Sequence, residues 1–165
     1  MILIALGGNL QSRAGRPAQT LDAALDYLQE SGIRVAALSP YYVTPAWPDP
    51  ADPPYVNAVA NIETGLTPAA VMQRLHRTET AFGRIRSVRN APRTLDLDLL
   101  AYDARVEEGP PVLPHPRIAE RAFVLVPLAD IAPDWRHPIT GWTARAMRDA
   151  LPQAERDAVR PISPA

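Results

Sequence analysis

The stretch "APRTLDLDLLAYD", residues 91–103, decides how the rest of the chain is read. Leucine alternates with acid at the period of two that marks a β-strand. Thr94, Asp96, Asp98 and Leu100 then point one way, and Leu95, Leu97 and Leu99 point the other way, into a core. Residues two apart on a strand have Cα atoms ~6.6–6.8 Å apart, so two carboxylates share one face. Unit like charges about 4 Å apart, at an effective dielectric near 20, repel by about 4 kcal/mol. Two readings stay open. The aspartates are the solvated face of an amphipathic strand, or they hold a divalent cation that reverses the sign of the interaction. Mg²⁺ takes one or two carboxylates and completes its shell with phosphate oxygens and water, which is what Asp-x-Asp would offer.

The residues just before this strand bear on that choice. Arg84, Arg86, Arg89 and Arg93 fall within ten positions with no acid among them. Such a run is usually a solvated loop, but here it adjoins the carboxylate pair. Cations beside metal-binding acids describe a polyphosphate site, and arginine's planar fork suits phosphate oxygens.

Further upstream, Ile2–Leu6 reads as a strand ending in Gly7-Gly8-Asn9. Pro17 opens a helix in which Leu21, Ala24, Leu25 and Leu28 recur at helical spacing until Gly32. A second strand is expected from about Arg34 to Val43, with Pro40 marking an edge or a bulge. Five prolines between residues 45 and 54 exclude helix and central strand, and leave a stiff loop around Trp47. "YVNAVANIET" follows as a strand whose Val56, Ala58, Ala60 and Ile62 face the core. Thr67-Pro68 caps and starts a second helix with Met72, Leu75, Glu79 and Phe82 on one stripe. Glu79 is the misfit of that stripe, and an arginine of the next loop is its natural partner. After the acidic strand come a proline-rich connection and a last third of short helices and turns.

The order strand, helix, strand, strand, helix, strand with an extension is that of a ferredoxin-like α+β fold, mostly antiparallel, in a single domain over residues 1–165. The 165 residues suffice for one core. A net charge of −1 gives no reason to expect a nucleic-acid partner or a basic membrane surface. The apolar run at the N-terminus is too short for a membrane span or a signal core, so a cytoplasmic protein is expected. Cysteine is absent, and all 17 basic residues are arginine. Disulfides, thiolate metal sites, a Walker-type lysine and Schiff-base chemistry are thereby excluded.

Together, "LGGN" at 6–9, Tyr42, Thr44-Pro45 and Trp47, "YVNAV" at 55–59, "GRIR" at 83–86, "PRTLDLDLL" at 92–100 and "LPHPRIAERAFVLVPL" at 113–128 resemble the 6-hydroxymethyl-7,8-dihydropterin pyrophosphokinases of folate biosynthesis. The resemblance runs in order from residue 2 to about residue 134. It implies transfer of a diphosphate from ATP to the hydroxymethyl group of a reduced pterin, with release of AMP. It implies that Asp96 and Asp98 hold two Mg²⁺ ions and that Arg84 and Arg93 are catalytic. Arg86, Arg121 and His115 would face phosphates, and Met72, His76 and Leu99 would line the nucleotide. Tyr55 and Phe123 would sandwich the pterin, Asn57 would read its amide edge, and Thr44 with the backbone near Trp47 would complete the pocket.

Glu79 matches an acid lying near the arginine loop. That loop is one residue shorter than in the best-known members, and Asn90 stands where a tryptophan often sits. The expected partners are small molecules alone, and the expected state is a monomer. A different magnesium-dependent phosphoryl or nucleotidyl transferase is the rival enzyme reading, and a non-catalytic binding module of the same fold is the rival of another class.

Overall fold

The computed structural model describes residues 1–86 and 88–162. Ser87 of the arginine loop and positions 163–165 lie outside the described residues. The chain folds as a mixed α/β structure with five α-helices among the described residues. Its main sheet is antiparallel throughout.

Strand β1 (Ile2–Gly8) runs down the middle of this sheet between β4 (Tyr55–Glu63) and β5 (Asp96–Tyr102). On the far side of β4 lie β2 (Arg34–Leu38) and β3 (Tyr42–Thr44). The strand expected over residues 34–43 is therefore two, parted at Pro40, which has no N–H to give to a ladder. Ser39 fills the break: its N–H donates to the Val59 carbonyl and its Oγ accepts from the Val59 N–H, both at 3.0 Å.

Helices α1 (Pro17–Glu30) and α2 (Pro68–Ala81) cover one face of the sheet. Leu21, Ala24, Leu25 and Leu28 of α1 and Val71 and Leu75 of α2 meet Ile4, Leu6, Val56, Ala58, Ala60, Ile62, Leu95, Leu97 and Leu99 in one core. Thr67 caps α2 by accepting from the Ala70 N–H.

The opposite face is covered over part of its length as well. Helix α3 (Ala122–Ile131) packs there, and Leu3, Val59, Leu100 and Ala101 join Val124, Leu125 and Leu128 in a second core. A bulge in β5 widens that second face by one residue. Ile4 pairs with Leu99 but Leu3 with Ala101, so Leu100 has no partner of its own. Leu100 and Ala101 both turn toward α3, and Tyr102 returns to the first core. Only the first half of β5 keeps its acids free of that second core.

The last third holds α4 (Ala144–Ala150) and α5 (Gln153–Asp157), with a two-residue pair of strands, β6 (Glu107–Glu108) and β7 (Val112–Leu113), before them. The tail ends in β8 (Arg160–Pro161), paired with β3. No helix is long and apolar enough to cross a membrane, among the described residues.

Candidate active site

The site is built where the first glycines of the chain meet the start of β5. Gly7 lies opposite Asp96, and Ala5 opposite Asp98. A Cβ on Gly8 would stand 2.5 Å from the Thr94 carbonyl oxygen, and one on Gly7 2.7 Å from Asn57 Oδ1. Only glycine lets the backbone of β1 approach the Thr94 carbonyl at Gly8 and the Asn57 amide at Gly7 so closely. Asn9, buried just beyond, ties two loops together. Its Oδ1 accepts from the Arg93 N–H at 2.8 Å, its own N–H donates to the Arg93 carbonyl at 3.0 Å, and its Nδ2 donates to the Pro53 carbonyl at 3.0 Å. The proline loop and the arginine loop thus share one root.

Glu79 anchors the arginine loop from below. It is 2% exposed, and one carboxylate oxygen receives Arg84 Nη1 and the Leu97 N–H, each at 2.9 Å. The other receives Arg86 Nη2 at 2.8 Å. Burial pushes the Glu79 carboxyl above its usual range, while the Leu97 N–H and the two guanidinium groups pull the other way. The partner expected from the misfit on the α2 stripe is therefore two arginines. Arg84 also contacts Asp96 Oδ1 and donates to the Leu95 carbonyl at 3.2 Å, and Arg93 Nη1 reaches Asp96 Oδ2 at 3.1 Å. Both oxygens of Asp96 are held by cations.

Asp98, next along the same face, has a weaker partner in Arg121 Nη1 at 3.8 Å. Burial first, and Asp96 second, push the Asp98 carboxyl up. Arg121 lies with its guanidinium carbon 5.6 Å from the centre of the Phe123 ring, so it links the acidic residues to the aromatic ones. His115 N–H donates to the Leu100 carbonyl at 2.8 Å, and its Nδ1 accepts from the Arg117 N–H at 3.1 Å. Burial lowers its pKa against the pull of Asp98. With Nδ1 accepting, Nε2 is the ring nitrogen left to donate.

A cavity of about 620 Å³ opens over these groups. Thr44, Trp47, Tyr55, Asn57, Phe123, Arg93, Asp96, Asp98 and Arg121 all line it. Asn57 Nδ2 donates to Thr44 Oγ1 at 2.8 Å, which fixes the amide's orientation. Trp47 is 70% exposed. A second space of about 310 Å³ is walled by Arg84, Arg86, Arg89, Asn90 and Arg93. Asn90 and Arg93 line both, so the two spaces adjoin. Asn90 has φ 61°, a left-handed conformation that asparagine tolerates better than most residues.

The structure does not bring every expected residue to these spaces. The Leu99 side chain is buried in the core beneath α1 and α2, Met72 packs on that core from α2, and His76 is exposed on α2. Among the described residues no group of three His, Asp or Glu side chains could by itself hold a metal ion. Two hard carboxylate oxygen donors do suit Mg²⁺ held jointly with a phosphate substrate, but not a resident ion caged by protein alone.

The sequence model of one protein family, 7,8-dihydro-6-hydroxymethylpterin-pyrophosphokinase (HPPK), matches residues 3–133. The chain belongs to the HPPK family. A protein of Synechocystis sp. called 2-amino-4-hydroxy-6-hydroxymethyldihydropteridine pyrophosphokinase is 38% identical over 164 residues, 98% of this chain and 80% of its own length. One of the same name from Methylorubrum extorquens is 46% identical over 127 residues, 76% of this chain and 80% of its own. Among solved structures, Plasmodium falciparum HPPK-DHPS wild type aligns with a TM-score of 0.64 at 12% identity. The alignment covers 90% of this chain and 44% of that one, and bears on the fold alone.

Sequence reasoning missed the tie made by Asn9, whose only signal was its place after two glycines. It also missed Arg117 and Glu120, which line the cavity and pair at 3.3 Å. Glu155, Ala158 and Val159 of the tail line it too, and nothing in their local sequence marks them.

Proposed function

We propose that this protein transfers the β,γ-diphosphate of ATP to the hydroxymethyl group of 6-hydroxymethyl-7,8-dihydropterin, releasing AMP, as a step of folate biosynthesis. The observation that carries this reading is the shared cavity: Asp96, Asp98 and Arg93 line the same space as Tyr55, Asn57 and Phe123. A flat heterocycle with a polar edge needs aromatic faces and a fixed amide, and its phosphate-accepting arm needs acids and cations beside them. The relatives' names and the family match support the same chemistry.

In this reading Asp96 and Asp98 hold Mg²⁺, as two ions, which neutralises the phosphates and favours the deprotonated substrate hydroxyl. The nucleophile is the pterin's own hydroxyl, so the chain needs no serine or cysteine. Arg84 and Arg93, which hold Asp96 in the unliganded protein, would be free to take phosphate oxygens once that carboxylate served a metal, and an arginine so used is worth ~10³–10⁵ in rate. Arg86 and Arg121 add charge, and His115 donates its Nε2 proton to a phosphate oxygen.

Glu79 is a positioning residue that keeps Arg84 and Arg86 in reach. Met72 and His76 would meet the base outside the two spaces described, and Leu99 through its backbone. Thr44 and the backbone near Trp47 complete the pterin end. The loops over residues 45–54 and 84–92 close to exclude water, which competes for the β-phosphorus. The sheet order, with the 34–44 segment as one interrupted strand, is read as ferredoxin-like. A single domain over residues 1–165, monomeric and in the cytoplasm where ATP is at hand, goes with this reading.

The test is incubation with Mg²⁺-ATP and 6-hydroxymethyl-7,8-dihydropterin. AMP and the pterin diphosphate are the expected products in equal amounts. ADP or free pyrophosphate in their place rejects the reading in favour of another phosphoryl or nucleotidyl transfer.

A further inference from the structure

The family match ends at residue 133, yet the chain returns to the site after it. β8 pairs antiparallel with β3, Pro161 opposite Tyr42 and Arg160 opposite Val43, and the Ile162 N–H donates to the Tyr41 carbonyl at 2.8 Å. This ladder lays the residues just before it along the cavity, where Ala158 and Val159 line the same space as Thr44, Pro45 and Ala46. Val159 is 8% exposed, and its N–H is held by the Arg156 carbonyl at 3.1 Å; Ala158 is half-buried, with its N–H on the Ala154 carbonyl at 3.1 Å. Both backbones are fixed and both side chains are apolar.

The strand that carries this tail also ends in Thr44, whose hydroxyl accepts from Asn57. Tail wall and amide are thus mounted on one piece of sheet. The groups that face phosphates, Arg93 and Arg121, come from other elements. Glu155 of α5 also lines the cavity, but the two tail residues next to the Thr44 end of the ladder, Ala158 and Val159, are apolar. An apolar stretch tied to the amide matches the rim of a planar ring rather than a chain of phosphates.

We propose that the C-terminal segment formed by α5 and β8 is the outer wall of the heterocycle end of the cavity, and that Ala158 and Val159 determine how closely a pterin ring fits there. This rests on the function proposed above and adds two specificity-determining positions outside the part of the chain by which the family is recognised.

Val159→Ala withdraws two methyl groups from the wall, and Ala158→Leu pushes three carbons into the cavity from a half-buried position where the fold is not at risk. One methylene in an apolar pocket is worth ~10–200-fold in discrimination. Each variant is therefore expected to raise the KM for the pterin about tenfold while the KM for ATP stays within about twofold. Calorimetric titration of the pterin into protein saturated with Mg²⁺ and a non-hydrolysable ATP analogue should show the same shift in Kd. An unchanged pterin KM in Ala158→Leu overturns the proposal. So does an equal rise in both KM values, which is what a general loosening of the fold gives. Should Val159→Ala unfold, Ala158→Leu decides alone. A wild type that forms AMP while its variants are indifferent removes the wall and leaves the function. A wild type that forms none removes the function and the wall with it.

Discussion

The Leu97 backbone N–H donates to the buried Glu79 carboxylate at 2.9 Å, between the two carboxylates of β5 and 18 residues away in sequence. The same oxygen receives Arg84, which in turn contacts Asp96. One buried acid on α2 therefore sets the height of the arginine loop over the acidic strand. Glu79→Gln keeps the volume but removes the anion from two guanidinium groups, one of them nearly buried. Burial makes the Glu79 anion itself costly, as the upward push on its pKa shows, but removing it strips a counter-charge from nearly buried Arg84. Breaking a buried pair costs about 3–5 kcal/mol; with Asp96 still beside Arg84 and the cost of the buried anion relieved, about 1–2 kcal/mol is expected. Urea unfolding measures that loss. Turnover at saturating substrate should fall more than tenfold under conditions where the variant is fully folded. A variant that is destabilised but turns over normally would show that Glu79 serves the fold alone.

Asp98 should show the opposite sign on stability. Burial and Asp96 hold its carboxyl above the ordinary value, so the folded state takes up a proton more readily than the unfolded one. The contribution of such a group is fully present below the unfolded pKa of about 3.9 and is lost as pH rises through the folded value. At neutral pH the ionised carboxylate is a net cost. Asp98→Asn is thus expected to be as stable as the wild type or more so, by up to about 1 kcal/mol, as is common for strained functional groups. Its advantage should shrink on acidification. Its Mg²⁺-dependent turnover should fall by about 10²–10³, the scale for losing one electrostatic contact to developing charge. Thermal melts across pH 4–8, set beside the turnover, check both. A variant that turns over normally with Mg²⁺-ATP sinks the metal assignment.

How much of this was legible in the sequence depends on how local the signal was. Leu95, Leu97 and Leu99 reached the core as their alternation required, and both long helices ran over the expected stripes. The second core was hidden for two reasons. The bulge at Leu100 breaks the period of two, and "AFVLVPLADI" of α3 is apolar nearly all round, so it shows no stripe that points to a partner. In the site, the paired acids and the misfit Glu79 could be found because each broke a local pattern. Asn9 and Val159 broke none. An asparagine after two glycines reads as a turn, and a valine before a two-residue strand reads as nothing. Their positions are fixed by residues more than forty places away, which no local pattern carries.

Tyr42 gives a prediction for the alkaline limb. Its hydroxyl donates to Asp130 of α3, and burial, followed by that hydrogen bond, pushes its pKa up to about 12 from the usual 10. The folded value lies above the unfolded one, so the stability contributed is complete below pH 10 and is lost as pH rises toward 12. The wild type should lose stability across that window faster than Tyr42→Phe, which has no proton to release there. Denaturant midpoints at pH 9, 10, 11 and 12 measure the two slopes. Parallel slopes would mean that the Tyr42 proton is not linked to folding.

Gly7 offers the sharpest separation of substrate ends. The new Cβ of Gly7→Ala would stand 2.7 Å from Asn57 Oδ1, and Asn57 is buried, so its amide must turn or retreat. Turning breaks the 2.8 Å hydrogen bond to Thr44 that orients it. The amide is the group expected to read the heterocycle edge, and a buried polar group that loses its partner costs about 1–3 kcal/mol. The KM for the pterin should therefore rise about tenfold or more. The acids and arginines are untouched, so the KM for ATP should stay within about twofold. Asn57→Ala, which removes the clashing oxygen, should make the same glycine substitution nearly silent. Measured as a double-mutant cycle, Gly7→Ala and Asn57→Ala should be strongly non-additive in pterin binding. Additive losses would mean that the glycine acts through the backbone of β1 and not through the amide.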